Sequence, residues 1–258
     1  MNIFIVNLKR AKERKALMQK QFERMSATQK QQYNIIFFEA IDAKAGEHLA
    51  FKQYSKIASI LFRGKEMSDG ERACFASHYS LWQKCVELNE PIIVLEDDVE
   101  MIGDFWNKIA HIATSEYVYV RLMYLKENAY FYTLPDDFYV SFDSAAGTQG
   151  YYLTPLAART FIESARIWYR PVDDYMDMFY IHHIPAVCVT PILRELSIET
   201  TIDGRESKIK WYVKIIREIT RAYFECKKMF FLGCSKKSLL LPKNALQSLQ
   251  IGVKRARF

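Results

Sequence analysis

The chain has 258 residues, 50% of them apolar and 14% aromatic, which is the composition of a folded globular protein and excludes a disordered one. This length accommodates one large domain or two small ones around a sizeable core. No apolar run reaches the roughly 18 residues of a membrane-spanning helix, and the absence of Gly-x-Gly-x-x-Gly and Walker-type loops argues against a standard dinucleotide or P-loop enzyme.

The net charge of +6 is unevenly distributed along the chain. Residues 201–258 contain 14 Lys and Arg against four Asp and Glu, a balance of +10, so residues 1–200 carry −4. This asymmetry predicts a C-terminal segment that meets something anionic.

The five cysteines are an odd number and show neither a C-x-x-C pair nor a recognised Cys/His metal spacing. At least three fall within helical or strand core patterns, where a free thiol behaves as a small hydrophobe. They indicate reduced thiols in a cytoplasmic protein. Apolar residues precede the first positive charges, the reverse of a secretion signal, so we expect the protein to stay where it is made.

The first predicted unit is a β-strand, a basic turn and an amphipathic helix. Residues 2–8 are the apolar strand, residues 9–15 are largely basic, and apolar residues recur at helical spacing from Leu17 to Met25. A basic turn before a helix N-terminus is a typical contact for a phosphate or nucleotide. A solvated basic helix face is the ordinary alternative.

A second strand and two helices are predicted next. Residues 35–38 form the strand, and residues 50–62 form a short helix. Ser68 and Glu71 make a capping-box pattern, which predicts the N-terminus of a longer helix. His78 lies on the apolar face of that helix, where a satisfied core histidine is commoner than a ligand.

The most informative stretch joins an apolar strand to three acids. Residues 92–95 read as a buried strand, and Glu96, Asp97 and Asp98 follow it directly. Ligands of open α/β sheets bind at the carboxyl ends of the strands. Adjacent carboxylates repel one another unless a cation or hydrogen-bond donors neutralise them. A divalent metal that carries a phosphate is one explanation, and a solvated turn is the other.

The remaining chain alternates predicted helices and strands. These are a helix over 105–113, strands over 117–122 and 147–153, a helix from Thr154-Pro155 to Ile167 and a strand over 186–190. Residues 123–146 give no ordered pattern. Asp173 and Asp174 lie in the first turn of a short helix after Pro171, where the helix dipole alone is a sufficient explanation for acids.

From residue 207, apolar residues recur at spacings of three and four with Lys and Arg on the other faces. This predicts a basic amphipathic helix, either at an anionic membrane surface or packed on the domain with a solvated basic face. The chain therefore divides into a domain over residues 1–204 and a basic helical segment over residues 205–258.

Four segments together resemble glycosyltransferase family 25, the lipopolysaccharide and lipooligosaccharide galactosyltransferases of Gram-negative bacteria. The resemblance covers about the first 200 residues. The segments are residues 6–10 with Arg14, residues 70–78, residues 95–99, and residues 150–154 followed by 171–173. Ala73 departs from the glycine that family members often carry, a change that suits a helix.

The resemblance implies an α/β fold of the GT-A type, with a Rossmann-like, mixed and mostly parallel sheet flanked by helices. It implies a metal-dependent, inverting transfer, most often of galactose from UDP-galactose, to a lipooligosaccharide or lipopolysaccharide core in beta linkage. A non-catalytic nucleotide-sugar or glycan-binding module of the same fold is the alternative.

Carried onto this sequence, the resemblance places Mn²⁺ or Mg²⁺ on Asp98 and Glu96. Asp173 is the expected base for the acceptor hydroxyl, with Asp174 as its rival, because inversion in one displacement needs a base opposite the leaving group. A metal and nearby arginines would neutralise the departing diphosphate. The expected donor-binding residues are Asn7, Leu8, Arg10, Arg14, Ser77, His78, Glu96 and Asp97.

We expect three partners: a UDP-sugar donor, a lipid-linked oligosaccharide acceptor and an anionic membrane that residues 205–258 contact. The expected location is cytoplasmic and peripheral, at the inner face of the bacterial inner membrane. No nucleic acid is expected, since only the basic tail suggests one and no zinc site or nucleic-acid motif supports it.

Overall fold

The computed structural model describes residues 1–125, 130–196, 211–250 and 255–256. The strands are β1 (Asn2–Asn7), β2 (Asn34–Glu39), β3 (Ile92–Glu96), β4 (Val99–Met101), β5 (Tyr119–Arg121), β6 (Phe131–Thr133), β7 (Tyr139–Ser141), β8 (Gly150–Leu153), β9 (Ala186–Cys188), β10 (Leu193–Glu195) and β11 (Arg255–Ala256). The helices are α1 (Lys12–Glu23), α2 (Ala27–Gln32), α3 (Lys56–Arg63), α4 (Asp69–Leu88), α5 (Phe105–Thr114), α6 (Pro155–Ser164), α7 (Val172–Met176), α8 (Phe179–His182), α9 (Trp211–Cys234) and α10 (Lys243–Gln250). Short 3-10 turns lie at Glu47–Ala50 and Lys236–Ser238.

Nine of these strands form one mixed sheet in the order β11-β6-β7-β9-β5-β8-β3-β1-β2, and β10 pairs separately with β4. The pairings make β1, β2, β3, β5, β6 and β9 run in one direction and β7, β8 and β11 in the other. This sheet, mostly parallel in direction and flanked by helices, confirms the predicted α/β fold class. Because β8 runs antiparallel to β3, the loop that enters β8 lies beside the end of β3.

Strand β3 lies in the middle of the core. Its alternate residues face opposite sides, with Ile93 and Leu95 in one apolar cluster and Ile92 and Val94 in the other, and all four are fully buried. Helices α1 and α5 contribute to the first cluster, and helices α4, α6 and α7 contribute to the second. The acids that follow β3 are therefore held at the edge of a sheet covered on both faces.

Helix α4 begins where the sequence predicts. The Ser68 hydroxyl accepts from the Glu71 N–H at 3.1 Å, and the Glu71 carboxylate accepts from the Ser68 N–H at 2.7 Å. This capping box is confirmed. The preceding helix α3 starts later than expected, because the Ser55 hydroxyl caps it at the Ala58 N–H and residues 47–50 form a separate 3-10 turn.

Helix α9 lies within the predicted basic segment, whereas the expected boundary at residue 204 and the helix start at residue 207 lie outside the described residues. One face of α9 packs on the domain. The Phe224 ring lies 5.8 Å from the Phe62 ring, and the Phe231 ring lies 5.8 Å from the Phe179 ring. In the part of the chain that the structure describes, no helix is both long and apolar enough to cross a bilayer.

Candidate functional site

The last residue of β3, Glu96, and the two residues after it, Asp97 and Asp98, form the acid turn, and their side chains point in two directions. Glu96 follows the strand alternation toward α4, whereas Asp97 and Asp98 turn toward α1. The Glu96 N–H donates to the Gln149 carbonyl at 2.9 Å, which ties the acids to the loop that enters β8. The Asp98 carbonyl accepts from the Leu196 N–H at 2.7 Å. The backbone of this turn is thus fixed on both sides.

Asp97 and Asp98 are bound by two side chains, the positively charged Arg14 and the neutral amide of Asn7. One guanidinium nitrogen of Arg14 donates to Asp97 Oδ1 at 3.0 Å and to Asp98 Oδ2 at 3.2 Å. The Asn7 amide donates to Asp97 Oδ2 at 2.6 Å and to the Ala11 carbonyl at 3.2 Å. Burial raises the pKa of Asp97 above its ordinary value, although Asn7 and Arg14 oppose that shift. Three of the predicted donor residues therefore form one buried cluster.

Asp98 retains an unsatisfied oxygen. Its Oδ1 is buried and has no hydrogen-bond partner among the described residues. Burial and then the charge of Glu96 raise the pKa of Asp98 to about 7, against the attraction of Arg14. A buried carboxylate oxygen without a donor, next to further negative charge, is stabilised by a hard divalent cation. The residues present therefore fit Mn²⁺ or Mg²⁺ at Asp98.

On the side of α4, Glu96 lies beside Thr148 and His78. The Thr148 hydroxyl donates to its carboxylate, and His78 Nε2 lies 3.6 Å from Glu96 Oε1. Burial opposes ionisation of Glu96, but His78, Thr148 and the charge of Arg14 lower its pKa below the ordinary value. Behind the imidazole, the Tyr151 hydroxyl lies 2.9 Å from His78 Nδ1 and accepts from Trp82 Nε1 at 3.1 Å.

Three other predicted donor residues do not make these contacts. Arg10 pairs with Asp42 on the loop after β2. The Leu8 carbonyl accepts from the Ala11 N–H at 2.8 Å, within the basic turn. The Ser77 hydroxyl accepts from the Ile41 N–H and donates to the Ala73 carbonyl, both at 2.9 Å. These three shape the loops around the acids, and their donor-binding role stays a prediction.

The two candidate bases lie on helix α7 and face different neighbours. Burial and then the charges of Glu96 and Asp173 raise the pKa of the Cys74 thiol on α4. Asp174 lines a shallow cleft with Arg170 and other polar residues. Partial burial of its carboxyl in this cleft and then the adjacent Asp173 raise the pKa of Asp174 to about 6.

Sequence reasoning missed a buried ion pair that supports the loop before β8. Arg121 Nη2 donates to Asp177 Oδ1 at 2.8 Å, and both side chains are less than a tenth exposed. The other oxygen of Asp177 accepts from the Ser144 hydroxyl at 2.7 Å and from the Ala146 N–H at 3.1 Å. Arg121 also donates to the carbonyl of Gly147, whose φ of +71° favours glycine. No local sequence pattern marks this ion pair, because Arg121 is the last residue of β5 and Asp177 follows the last residue of α7.

Comparison with known proteins supports the family resemblance. The sequence profile of glycosyltransferase family 25 (LPS biosynthesis protein) matches residues 1–176. A glycosyltransferase 25 family member of Aedes aegypti is 25% identical over 198 residues, which are 70% of this chain and 31% of that protein.

Two shorter matches carry more specific names. The lipooligosaccharide biosynthesis protein lic2B of Haemophilus influenzae is 31% identical over 101 residues, which are 39% of this chain and 34% of that protein. Procollagen galactosyltransferase 2 of Homo sapiens is 30% identical over 115 residues, which are 42% of this chain and 17% of that protein. The chain thus spans about a third or less of the length of these relatives.

The profile match covers more than half of the chain and includes β1, the capped helix α4, the acid turn and α7. These are the elements that carry the site. The chain belongs to glycosyltransferase family 25.

Proposed function

We propose that the chain is a metal-dependent, inverting glycosyltransferase that transfers a hexose, foremost galactose from UDP-galactose, to a lipooligosaccharide or lipopolysaccharide core in beta linkage. The observation that carries this proposal is the acid turn, in which the buried Asp98 Oδ1 has no hydrogen-bond partner in the described part of the chain and Oδ2 accepts from Arg14. Family membership supports the reaction class, and the names of the Haemophilus and human relatives support the sugar and the acceptor.

The acid turn would serve the donor. Asp98 is the proposed ligand of Mn²⁺ or Mg²⁺, and the charge of Glu96 acts on its carboxyl. When bound, the cation supplies positive charge that offsets the negative charge of the departing diphosphate. Arg14 adds a fixed guanidinium at the same place, and Asn7 orients Asp97 so that Arg14 stays directed at the turn.

Asp173 is the proposed base. It takes the proton of the acceptor hydroxyl while that oxygen bonds to the anomeric carbon and the bond from that carbon to the diphosphate oxygen breaks. We prefer it to Asp174 because it is the acid of the 171–173 segment that carries the family resemblance, and its charge also contributes to the raised pKa of Cys74. Asp174 remains the rival, since its pKa of about 6 lies within reach of neutral pH.

A UDP-release assay tests the proposal. Purified protein is incubated with UDP-galactose or UDP-glucose and a lipooligosaccharide acceptor, with Mn²⁺, Mg²⁺ or a chelator, and UDP release is measured. We expect release to require the cation and to be lost in Asp98→Asn but retained in Glu100→Gln, which alters an exposed acid paired with Arg194. Binding of UDP-galactose without turnover under every condition would contradict the proposal and favour a non-catalytic module.

We further propose that α9 brings the enzyme to an anionic membrane, the inner face of the bacterial inner membrane, where a lipid-linked acceptor is embedded. The face of α9 opposite Phe224 and Phe231 carries a solvent-exposed apolar stripe. The stripe consists of Ile215, Ile219, Tyr223, Met229 and Phe230, each between 52% and 71% exposed. Of the basic residues on the same helix, Arg221 and Lys227 are exposed, whereas Arg217 and Lys228 are half-buried against Gly64 and Asp143 of the domain. Apolar and basic faces on one helix are typical of interfacial binding.

Vesicle sedimentation of the full chain tests the membrane contact. We expect binding to vesicles that contain phosphatidylglycerol, weaker binding at high salt, and little binding to phosphatidylcholine alone. Ile219→Glu and Phe230→Glu should lose this binding, whereas Leu156→Glu, at an exposed apolar position on α6, should keep it. Equal sedimentation of all three variants would refute the role of the stripe.

A further inference from the structure

We propose that Cys74, His78 and Glu96 form a second cation site, distinct from the hard-ion position at Asp98, that takes Zn²⁺ or a similar borderline-soft metal. Neither the family comparison nor the proposed transfer reaction requires this site. It rests on the packing of α4 against the end of β3.

The three side chains converge because of helix geometry. Cys74 and His78 are four residues apart on α4, so they lie on the same face one turn apart. That face meets Glu96 at the end of β3. Each residue offers one ligand atom: the Cys74 sulfur, a His78 imidazole nitrogen and a Glu96 carboxylate oxygen. These three atoms lie within 4.8 Å of one another.

The imidazole is prepared for a ligand. His78 is fully buried, and its Nε2 has no hydrogen-bond partner within the described part of the chain. The closest carboxylate oxygen is 3.6 Å away, which is too long for a hydrogen bond. On the far side of the ring, Nδ1 lies 2.9 Å from the Tyr151 hydroxyl. With the proton on Nδ1 donated to Tyr151, Nε2 presents its lone pair, which is the usual arrangement of a metal-bound histidine.

The types of ligand atom indicate which metal ion would bind. Thiolate and imidazole favour Zn²⁺ and Co²⁺ over Mg²⁺ and Mn²⁺, which prefer oxygen ligands. As the metal–sulfur bond forms, the thiol proton leaves to solvent. Bonds of about 2.3 Å to sulfur and 2.0 Å to nitrogen would draw the three side chains together by about an ångström, and three protein ligands leave a fourth position open. The bound ion would join α4 to β3 directly.

The test uses Co²⁺ as a spectroscopic probe of the full-length chain. We expect a sulfur-to-cobalt charge-transfer band with wild type, no such band with Cys74→Ser, and a normal band with Cys226→Ser, which alters an exposed cysteine on α9. Tyr151→Phe should weaken Co²⁺ binding by about 10–100-fold, because it removes the hydrogen bond that orients the imidazole. Asp98→Asn should leave the band unchanged even if it abolishes transfer, so the two sites fail independently.

A second measurement does not depend on whether the Cys74→Ser variant folds. Zn²⁺ should raise the Tm of Asp98→Asn, which lacks the other cation position, because a ligand that binds only the folded state stabilises it. Absence of the charge-transfer band in wild type, persistence of the band in Cys74→Ser, or an unchanged Tm of Asp98→Asn with Zn²⁺ would each overturn the proposal.

Discussion

Arg14 donates to Asp98 Oδ2 at 3.2 Å and leaves Asp98 Oδ1 without a partner among the described residues. The same guanidinium nitrogen also reaches Asp97 at 3.0 Å. Helix α1 therefore supplies a counter-ion for Asp97 and Asp98, which follow Arg14 by 83 and 84 residues in the sequence. It neutralises the turn only in part, and this partial neutralisation leads to the first two predictions.

Removing Arg14 should destabilise the protein. Arg14→Ala leaves Asp97 and Asp98 buried without their cation, and loss of one partner of a buried ion pair costs about 3–5 kcal/mol in the free energy of unfolding. Urea unfolding measures this loss. Lys9→Ala is the control, because Lys9 makes an exposed pair with Glu39 and should change stability little. Equal stability of the two variants would contradict the structural role of Arg14.

Asp98 should make the stability of the metal-free chain depend on pH. Its pKa in the folded chain is about 7, above the value of 3.8 expected when unfolded, so the folded state keeps a proton that the unfolded chain releases. The contribution of this group is fully present below about pH 4 and is lost as the pH rises toward 7. Asp98→Asn removes this loss, so its Tm should increasingly exceed that of wild type between about pH 5 and 8.

Mn²⁺ should reverse the order of the Tm values of wild type and Asp98→Asn. At pH 8 the cation should raise the Tm of wild type but leave that of Asp98→Asn unchanged, since a ligand that binds only the folded state stabilises it. Differential scanning calorimetry with and without Mn²⁺ measures both effects. An equal rise in Tm for both proteins would show that the cation binds elsewhere.

The two acids of α7 should differ in their effect on the rate. Asp173→Asn should lower kcat by about 10²–10⁴-fold, the usual contribution of a general base, whereas Asp174→Asn should lower it much less. The pH profile of kcat provides an independent readout. An acid limb near pH 6 that disappears in Asp174→Asn would assign the base to Asp174 instead, as its pKa of about 6 would require.

Asp177 should matter for stability. Asp177→Ala leaves Arg121 buried and uncompensated and frees the Ser144 hydroxyl, so we expect a loss of about 3–5 kcal/mol in the free energy of unfolding. Asp143→Ala is the matched control, because Asp143 is partly exposed and pairs with Lys228 at 3.6 Å. Similar urea midpoints for the two variants would rule out a structural role for the Arg121–Asp177 pair.

The elements that bear the acids could be predicted from local pattern. β1 and β3 are apolar runs, and α4 carries its capping box in the sequence, so each lies where predicted. Strands β6 and β7 pair with each other, but the sequence did not predict them because each has only three residues and its second partner, β11 or β9, is distant in sequence. Their connecting turn uses positive φ at Asp136 and Asp137, where glycine would be the usual signal.

The site was predictable as a set of residues but not as an arrangement. The acids, Asn7 and Arg14 were expected together, and they lie together. That Glu96 and Asp98 would face different helices depends on strand alternation and on the turn that follows. The approach of Cys74 to Glu96 depends on the packing of α4 against β3, and spacing rules for metal-binding cysteines do not include it.

Arg14 also bears on the order of events when the protein is made. A chain whose acids had no internal cation would need its metal before it could fold, as small zinc domains do. Here the Arg14 side chain is synthesised well before Asp97 and Asp98, and it pairs with them without any ion from solution. Folding is thereby uncoupled from metal supply, so metal limitation should leave a folded, metal-free protein that later addition of Mn²⁺ can load.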